Sequence, residues 1–129
     1  MTWQGDKTLS PEIEDKMREK AVPLNKPNLV ESMRSFLSKR EEIIFAYIFG
    51  SFVEESEPGD VDIALYLDEN NQVARDLWYE IRFSIELEKE FRLPFDVIRL
   101  SRAPDHLIYE ISKGIVVKNS DDDLRVDFI

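Results

Sequence analysis

Two aspartates separated by one residue, Asp60 and Asp62, are the side chains best suited to chemistry. They begin the segment 60–67, DVDIALYL, in which apolar residues occupy alternate positions and predict a β-strand. Because alternate side chains of a strand point the same way, both carboxylates share one face. Their Cα atoms are expected to lie roughly 7 Å apart. Carboxylate oxygens in this arrangement suit magnesium. The pattern predicts a metal site, and surface charge on an edge strand is the alternative.

A third aspartate, Asp96, lies between the apolar residues Phe95 and Val97. An ionised carboxylate in a segment otherwise fit for a core is costly unless something compensates its charge. A metal shared with Asp60 and Asp62 would do so, whereas a helix cap or a salt bridge is the alternative. If the two strands are neighbours, three carboxylates converge as in a two-metal phosphoryl- or nucleotidyl-transfer site. We therefore predict that these three aspartates form the catalytic and metal-binding set.

The dipeptide Gly50-Ser51 follows the continuous apolar run 43–49, IIFAYIF, which is typical of a strand buried on both faces. Glycine lets the backbone approach a ligand closely, and backbone N–H groups at a helix start attract phosphate. The serine adds a hydroxyl donor. We predict that Gly50 and Ser51 bind the phosphates of a nucleotide, and a simple turn is the alternative.

The remaining pattern predicts a small α/β (α+β) domain, in which helices pack on a mixed sheet of about four strands. Its boundaries are an N-terminal arm with a short helix at 1–27, one domain at 28–119 and an acidic, solvated tail at 120–129. The predicted helices cover Ser10 to Lys20, Asn28 (as cap) to about Leu37, Asn71 to Arg92, and Pro104 to Lys113 with Gly114 as its cap. The strands beyond 43–49 and 60–67 are expected at 95–100 and 115–117.

Composition restricts the partners of the chain. Its 129 residues carry a formal net charge of −10, which disfavours nonspecific binding to a nucleic-acid backbone. Binding of an isolated nucleotide remains compatible with this negative charge, because a divalent metal neutralises the phosphates locally. The sequence contains no cysteine and no apolar run of the length that a membrane-spanning helix needs. A cytoplasmic protein without a membrane association is therefore expected, and a homo-oligomer stays open.

Taken together, the segments 48–52, IFGSF, and 59–63, GDVDI, with the later Asp96, resemble the signature of the polymerase-beta-like nucleotidyltransferases. The chain is most similar to the minimal nucleotidyltransferases (MNT), the MntA-like antitoxins that pair with HEPN-domain RNase toxins. This resemblance implies that Asp60 and Asp62 bind one or two Mg²⁺ ions, and that Asp96 holds the catalytic metal and helps to activate the attacking hydroxyl. It also implies that Gly50 and Ser51 hold the triphosphate of ATP.

The chain departs from this signature just after the serine, where many members have a basic residue and then a glycine. Here the sequence reads Val53, Glu54, Glu55 and Ser56. Glutamates beside a triphosphate are unfavourable unless they point away from it. The basic residues left as candidates for phosphate contacts are Arg82, Arg102 and Lys113.

Other residues were weighed for a role. Tyr79 and Phe83 lie i, i+4 apart, away from an apolar stripe of Ala74, Leu77, Trp78, Ile81 and Ile85 that should face the sheet. We therefore expect Tyr79 and Phe83 to form an exposed patch that docks a partner or a second copy, and packing under the N-terminal arm is the alternative. His106 is expected to be structural or exposed. The run 121–123 is expected to be solvated.

The resemblance implies an enzyme, a magnesium-dependent nucleotidyltransferase that transfers AMP from ATP to a tyrosine of a HEPN toxin and thereby acts as an antitoxin. Two alternatives remain. One is an antitoxin that only binds its partner through a degenerate site, which Glu54 and Glu55 favour and the three aspartates oppose. The other is a nucleotidyltransferase acting on a small molecule, against which the missing second domain argues.

Overall fold

The computed structural model describes residues 26–54 and 59–129. The predicted helix from Ser10 to Lys20 lies outside these residues. The described α-helices are α1 (Lys26–Leu37), α2 (Ser51–Glu54), α3 (Tyr79–Phe91), α4 (Asp105–Ser112) and α5 (Asp122–Phe128). The strands are β1 (Ile43–Phe49), β2 (Val61–Leu67), β3 (Phe95–Arg99) and β4 (Ile115–Asn119). Short 3₁₀ turns at Val73–Arg75 and Leu100–Arg102 complete the order. In these ranges no helix is long and apolar enough to cross a membrane.

The four strands form one mixed sheet in the order β3-β2-β1-β4. Strand β1 pairs antiparallel with both β2 and β4, whereas β2 and β3 run parallel. The predicted α/β fold with about four strands is therefore confirmed. These strand directions place the C-terminal end of β1 beside the N-terminal ends of β2, β3 and β4, at one edge of the sheet.

Two apolar layers cover the two faces of the sheet. On one face, α1 and α3 bury a core that includes Val61, Ile63 and Leu65 of β2. On the other face, a smaller cluster contains Ala64 and Ile111, with contributions from α4 and α5. The alternation predicted for β2 is thus confirmed, because its odd-numbered residues face the larger core. Asp62 consequently lies on the side of the smaller cluster.

Helix α1 begins at Lys26, two residues before the predicted cap at Asn28. Pro27, which falls within the predicted arm 1–27, lies in the first turn of this helix. Proline is tolerated there because the first backbone N–H groups of a helix have no intrahelical acceptor.

Helix α3 begins at Tyr79, eight residues later than predicted. The preceding segment instead uses side-chain acceptors for its backbone. Asn71 accepts from the N–H of Val73 at 2.9 Å, and Asp76 accepts from the N–H of Trp78 at 3.0 Å. Such local bonds compete with helical hydrogen bonds, which explains the late start.

The outward and inward faces of α3 are the reverse of the prediction. Tyr79 and Phe83 are only 4% and 1% exposed, and they continue at a spacing of four through Leu87 and Phe91, which are also buried. Of the residues expected to face the sheet, Ala74 is buried as predicted, whereas four are exposed: Leu77, Trp78, Ile81 and Ile85. The predicted docking patch of Tyr79 and Phe83 is therefore wrong. The aromatic side chains fill the space between α1 and the sheet, where Phe36 contacts Phe83 and Phe91.

The last ten residues were expected to be solvated, but they include helix α5. Asp121 caps this helix by accepting from the N–H of Leu124 at 3.0 Å. Phe128 packs against Tyr66 with a centroid distance of 5.1 Å, and Arg125 donates to the Tyr47 hydroxyl at 2.7 Å. The acidic run 121–123 is exposed as predicted, while Leu124 and Phe128 pack against the smaller apolar cluster.

Candidate active site

The predicted site residues meet at one edge of the sheet. Gly50 follows the last residue of β1, while Asp62 and Asp96 are the second residues of β2 and β3. Gly114 directly precedes β4 at the same edge, since Ile115 pairs with Ile48 near the end of β1. Residues that are distant in the sequence therefore become neighbours through strand pairing.

Asp62 and Asp96 are register partners on the parallel strands β2 and β3. Neighbouring strands lie about 4.8 Å apart, so the two carboxylates share one face at adjacent positions. Asp60 lies just before β2 and is exposed, as is Asp96, whereas Asp62 is half-buried. Burial raises the pKa of the Asp62 carboxyl, and the negative charges of Asp96 and Asp60 raise this pKa further. The three acids therefore form a patch of mutually repelling negative charge.

The backbone of Gly50 is in direct contact with this patch. Its φ is +78°, a conformation that residues with a Cβ rarely adopt. A Cβ built on Gly50 would lie 2.5 Å from Oδ2 of Asp62. The left-handed turn after β1 therefore favours glycine, and the absence of a Cβ leaves room for the Asp62 carboxylate. Ser51 follows as the first, half-buried residue of α2.

The donor chemistry of these residues fits magnesium, which prefers carboxylate oxygens. Within residues 26–54 and 59–129, no three acidic, histidine or cysteine side chains are close enough to enclose an ion by themselves. Magnesium seldom occupies an all-protein cage, because it usually takes one or two carboxylates together with water and substrate phosphates. The side-by-side pair of Asp62 and Asp96 matches that incomplete type of site.

A cleft of about 140 Å³ adjoins the Gly50 turn. It is lined by Gly50, Val53, Glu110, Lys113 and Gly114. The sequence pattern does not indicate that Val53, Glu110 and Gly114 line a common cleft. Gly114 was expected to cap a helix, but a Cβ at this position would collide with the carbonyl oxygen of Ile48. The glycine therefore permits close packing of the α4–β4 turn on the end of β1.

The three basic candidates separate clearly in space. Lys113 lines the cleft beside Gly50. Arg82 pairs with Asp76 at 3.0 Å, and Arg102 pairs with Glu80 at 3.6 Å. Asp76, Glu80 and Arg82 lie around the start of α3, and Arg102 follows the end of β3. Both pairs therefore lie at the edge of the sheet opposite the aspartates. His106 is exposed on α4.

Comparisons with known proteins agree with this geometry. Residues 31–123 match the family described as polymerase beta, nucleotidyltransferase. No curated protein matches the chain. Among solved structures, a mutant MntA-HpeT toxin–antitoxin is similar with a TM-score of 0.58 and 16% identity, covering 80% of each chain.

Two further structures have the same fold. One is a toxin–antitoxin with AMP-PNP, with a TM-score of 0.57 and 18% identity over 80% of each chain. The other is a tri-AMPylated HEPN toxin from Shewanella oneidensis in complex with an MNT antitoxin, with a TM-score of 0.57 and 19% identity over 77% of each chain. The match over most of the chain and the shared fold lead to one conclusion: this chain belongs to the polymerase beta nucleotidyltransferase family, as its sequence signature predicted.

Proposed function

We propose that this chain is a magnesium-dependent nucleotidyltransferase that transfers AMP from ATP to a tyrosyl hydroxyl of a HEPN-type RNase toxin, and thereby acts as an antitoxin. The observation that carries this proposal is the pairing of Asp62 with Asp96 beside the Gly50 turn. The resemblance to structures that contain AMP-PNP and an AMPylated HEPN toxin supports the choice of nucleotide and acceptor. ATP and an RNase acceptor also agree with the predicted cytoplasmic location.

In the proposed reaction, the tyrosyl oxygen forms a bond to the α-phosphorus of ATP, and the bond to the oxygen bridging the α- and β-phosphates breaks. Pyrophosphate leaves, and the carboxylate of Asp96 accepts the proton of the hydroxyl. Asp62 and Asp96, with the neighbouring Asp60, would hold Mg²⁺ together with the substrate phosphates, and the ion would supply positive charge to offset that of the phosphates. Gly50 and Ser51 position the phosphates, so most of the catalysis consists of orientation and electrostatic stabilisation.

The test is mass spectrometry of the cognate HEPN protein after incubation with this chain, ATP and MgCl₂. We expect one or more AMP additions, and none with the Asp60→Asn/Asp62→Asn variant. Asp127→Asn serves as a matched control, because this exposed aspartate on α5 lies away from the candidate site. A tight complex without any AMP addition would contradict the transferase proposal and support the binding-only antitoxin.

A further inference from the structure

The cleft next to Gly50 contains a cation without a strong partner. Within the described part of the chain, Lys113 is the one basic side chain that lines this cleft. Its ammonium lies 3.7 Å from Glu110 and 4.3 Å from the ring centroid of Tyr109. Both side chains of the ion pair are more than half exposed, and such surface pairs contribute little energy. The ammonium is therefore free to exchange Glu110 for a more highly charged anion.

The strand order indicates how a nucleotide bound at this edge of the sheet would be oriented. The aspartates lie on β2 and β3, whereas the cleft lies between the end of β1 and the start of β4. Gly50 joins the two regions, since its backbone is packed against the Asp62 carboxylate. A nucleotide whose α-phosphate lies at the aspartates can extend its β- and γ-phosphates past Gly50 into the cleft.

The loop after Ser51 offers no positive charge for those phosphates. Val53 is the residue of α2 that lines the cleft, and the sequence continues with Glu54 and Glu55. Arg82 and Arg102 are held by acidic partners at the opposite edge of the sheet. A triphosphate at this site therefore needs a cation from another element, and the α4–β4 turn brings Lys113 to the required place.

We propose that Lys113 binds the β- and γ-phosphates of the nucleoside triphosphate, and that it thereby supplies from the α4–β4 turn the charge that the loop after Ser51 lacks. This inference rests on the proposed function, because it assigns the leaving-group end of the same nucleotide site. Gly114 fixes the lysine in position, since the close contact of Gly114 with the Ile48 carbonyl holds the turn against β1. Glu110 competes with the phosphates for the ammonium.

The experiment is isothermal titration of the full chain with AMP-PNP and with AMP, both in MgCl₂ and without any acceptor protein. Lys113→Ala should weaken AMP-PNP binding about ten- to a hundredfold, as expected for loss of a hydrogen bond to a charged group. AMP binding should change little, because AMP lacks the two phosphates in question. Glu110→Gln should tighten AMP-PNP binding, and Lys113→Arg should retain most of it.

Moving the positive charge from position 113 to position 110 tests the assignment of Lys113 most directly. Glu110→Lys in the Lys113→Ala background returns a cation to the same cleft and should restore part of the affinity for AMP-PNP. Lys89→Ala is the control, since this lysine is exposed on α3 and does not line the cleft. Equal losses for AMP and AMP-PNP, or unchanged AMP-PNP affinity in Lys113→Ala, would overturn the assignment of Lys113. Absence of AMP-PNP binding by the unmodified chain would instead count against the proposed function itself.

Discussion

Asp62 and Asp96 are direct neighbours across the parallel strands β2 and β3, and no basic side chain within residues 26–54 and 59–129 forms a salt bridge with either carboxylate. Because burial and the charges of Asp96 and Asp60 raise the pKa of Asp62, its ionised form destabilises the metal-free fold. The folded state therefore holds the Asp62 proton to a higher pH than the unfolded chain does, whose carboxyl keeps its ordinary value of 3.8.

Asp62→Asn should consequently stabilise the metal-free protein at neutral pH while abolishing AMP transfer. Between the unfolded pKa and the raised folded pKa, the folded state binds more protons, so the contribution of Asp62 to the free energy of unfolding falls as the pH rises. Urea denaturation in EDTA at several pH values measures this difference. The gain from the substitution should be present at pH 7 and shrink as the pH falls towards the ordinary aspartate range. Loss of folding in Asp62→Asn would indicate a structural role instead.

Gly50→Ala should reduce both stability and nucleotide binding. The left-handed backbone costs a residue with a Cβ about 1–2 kcal/mol. The added methyl group would also displace the Asp62 carboxylate, from which it would lie 2.5 Å away. Gly59→Ala is the matched control, because a Cβ at this position meets nothing within 4 Å. Thermal denaturation and AMP-PNP titration of the two variants provide the comparison, and equal behaviour would refute the close-contact explanation.

Tyr79→Phe should destabilise the fold by about 1–3 kcal/mol, because it leaves a buried carboxylate without its hydrogen bond. The Tyr79 hydroxyl donates to Oε2 of Glu42 at 2.6 Å, and Glu42 is only 6% exposed. Burial is the main cause that raises the pKa of Tyr79, and the hydrogen bond to Glu42 raises this pKa further. The hydroxyl therefore stays protonated and acts as the donor. Tyr109→Phe removes an exposed hydroxyl and serves as the control in urea denaturation. Similar stability losses in both variants would contradict this role for Tyr79.

Phe83→Ala should destabilise the fold by about 3–5 kcal/mol, the usual cost of emptying a large buried site. Phe83 is 1% exposed and lies 5.6 Å from the ring of Tyr79, measured between centroids. Trp78→Ala, at a position that is 59% exposed, should change stability by only about 0.5 kcal/mol. Chemical denaturation followed by far-UV circular dichroism distinguishes the two. A mild effect at Phe83 would restore the idea that this side chain is available for docking.

The sequence predicted the relative positions of the aspartates better than it predicted the helices around them. Alternation in β2 placed Asp62 opposite the core residues Val61 and Ile63. Asp96 was identified by its apolar neighbours, but the expectation that its carboxylate is buried was wrong, because Asp96 is exposed. The placement of Asp62 depends on strand geometry, which has a fixed period of two. The convergence of the acids then followed from the pairing of β2 with β3.

The errors arose where the same sequence pattern was compatible with two orientations of a helix. Helix α3 carries two apolar stripes, and the buried one is selected by the aromatic packing of Phe36 against Phe83 and Phe91, a contact between residues far apart in the sequence. The choice of Lys113 among the three basic candidates could not be made from the sequence, because its position beside Gly50 results from β4 pairing with β1. The spacing Tyr79, Phe83, Leu87 and Phe91 was the available signal for the correct stripe.

The position of β4 beside β1 has a consequence for synthesis on the ribosome. Translation delivers Gly50 and the three aspartates well before Lys113 and Gly114, yet the cleft needs both groups. A nascent chain that ends within α4 would carry the acids without the cation proposed to bind the triphosphate. Competence to use a nucleotide would then arise late, when the fourth strand pairs with the first, so partly made chains would leave ATP untouched.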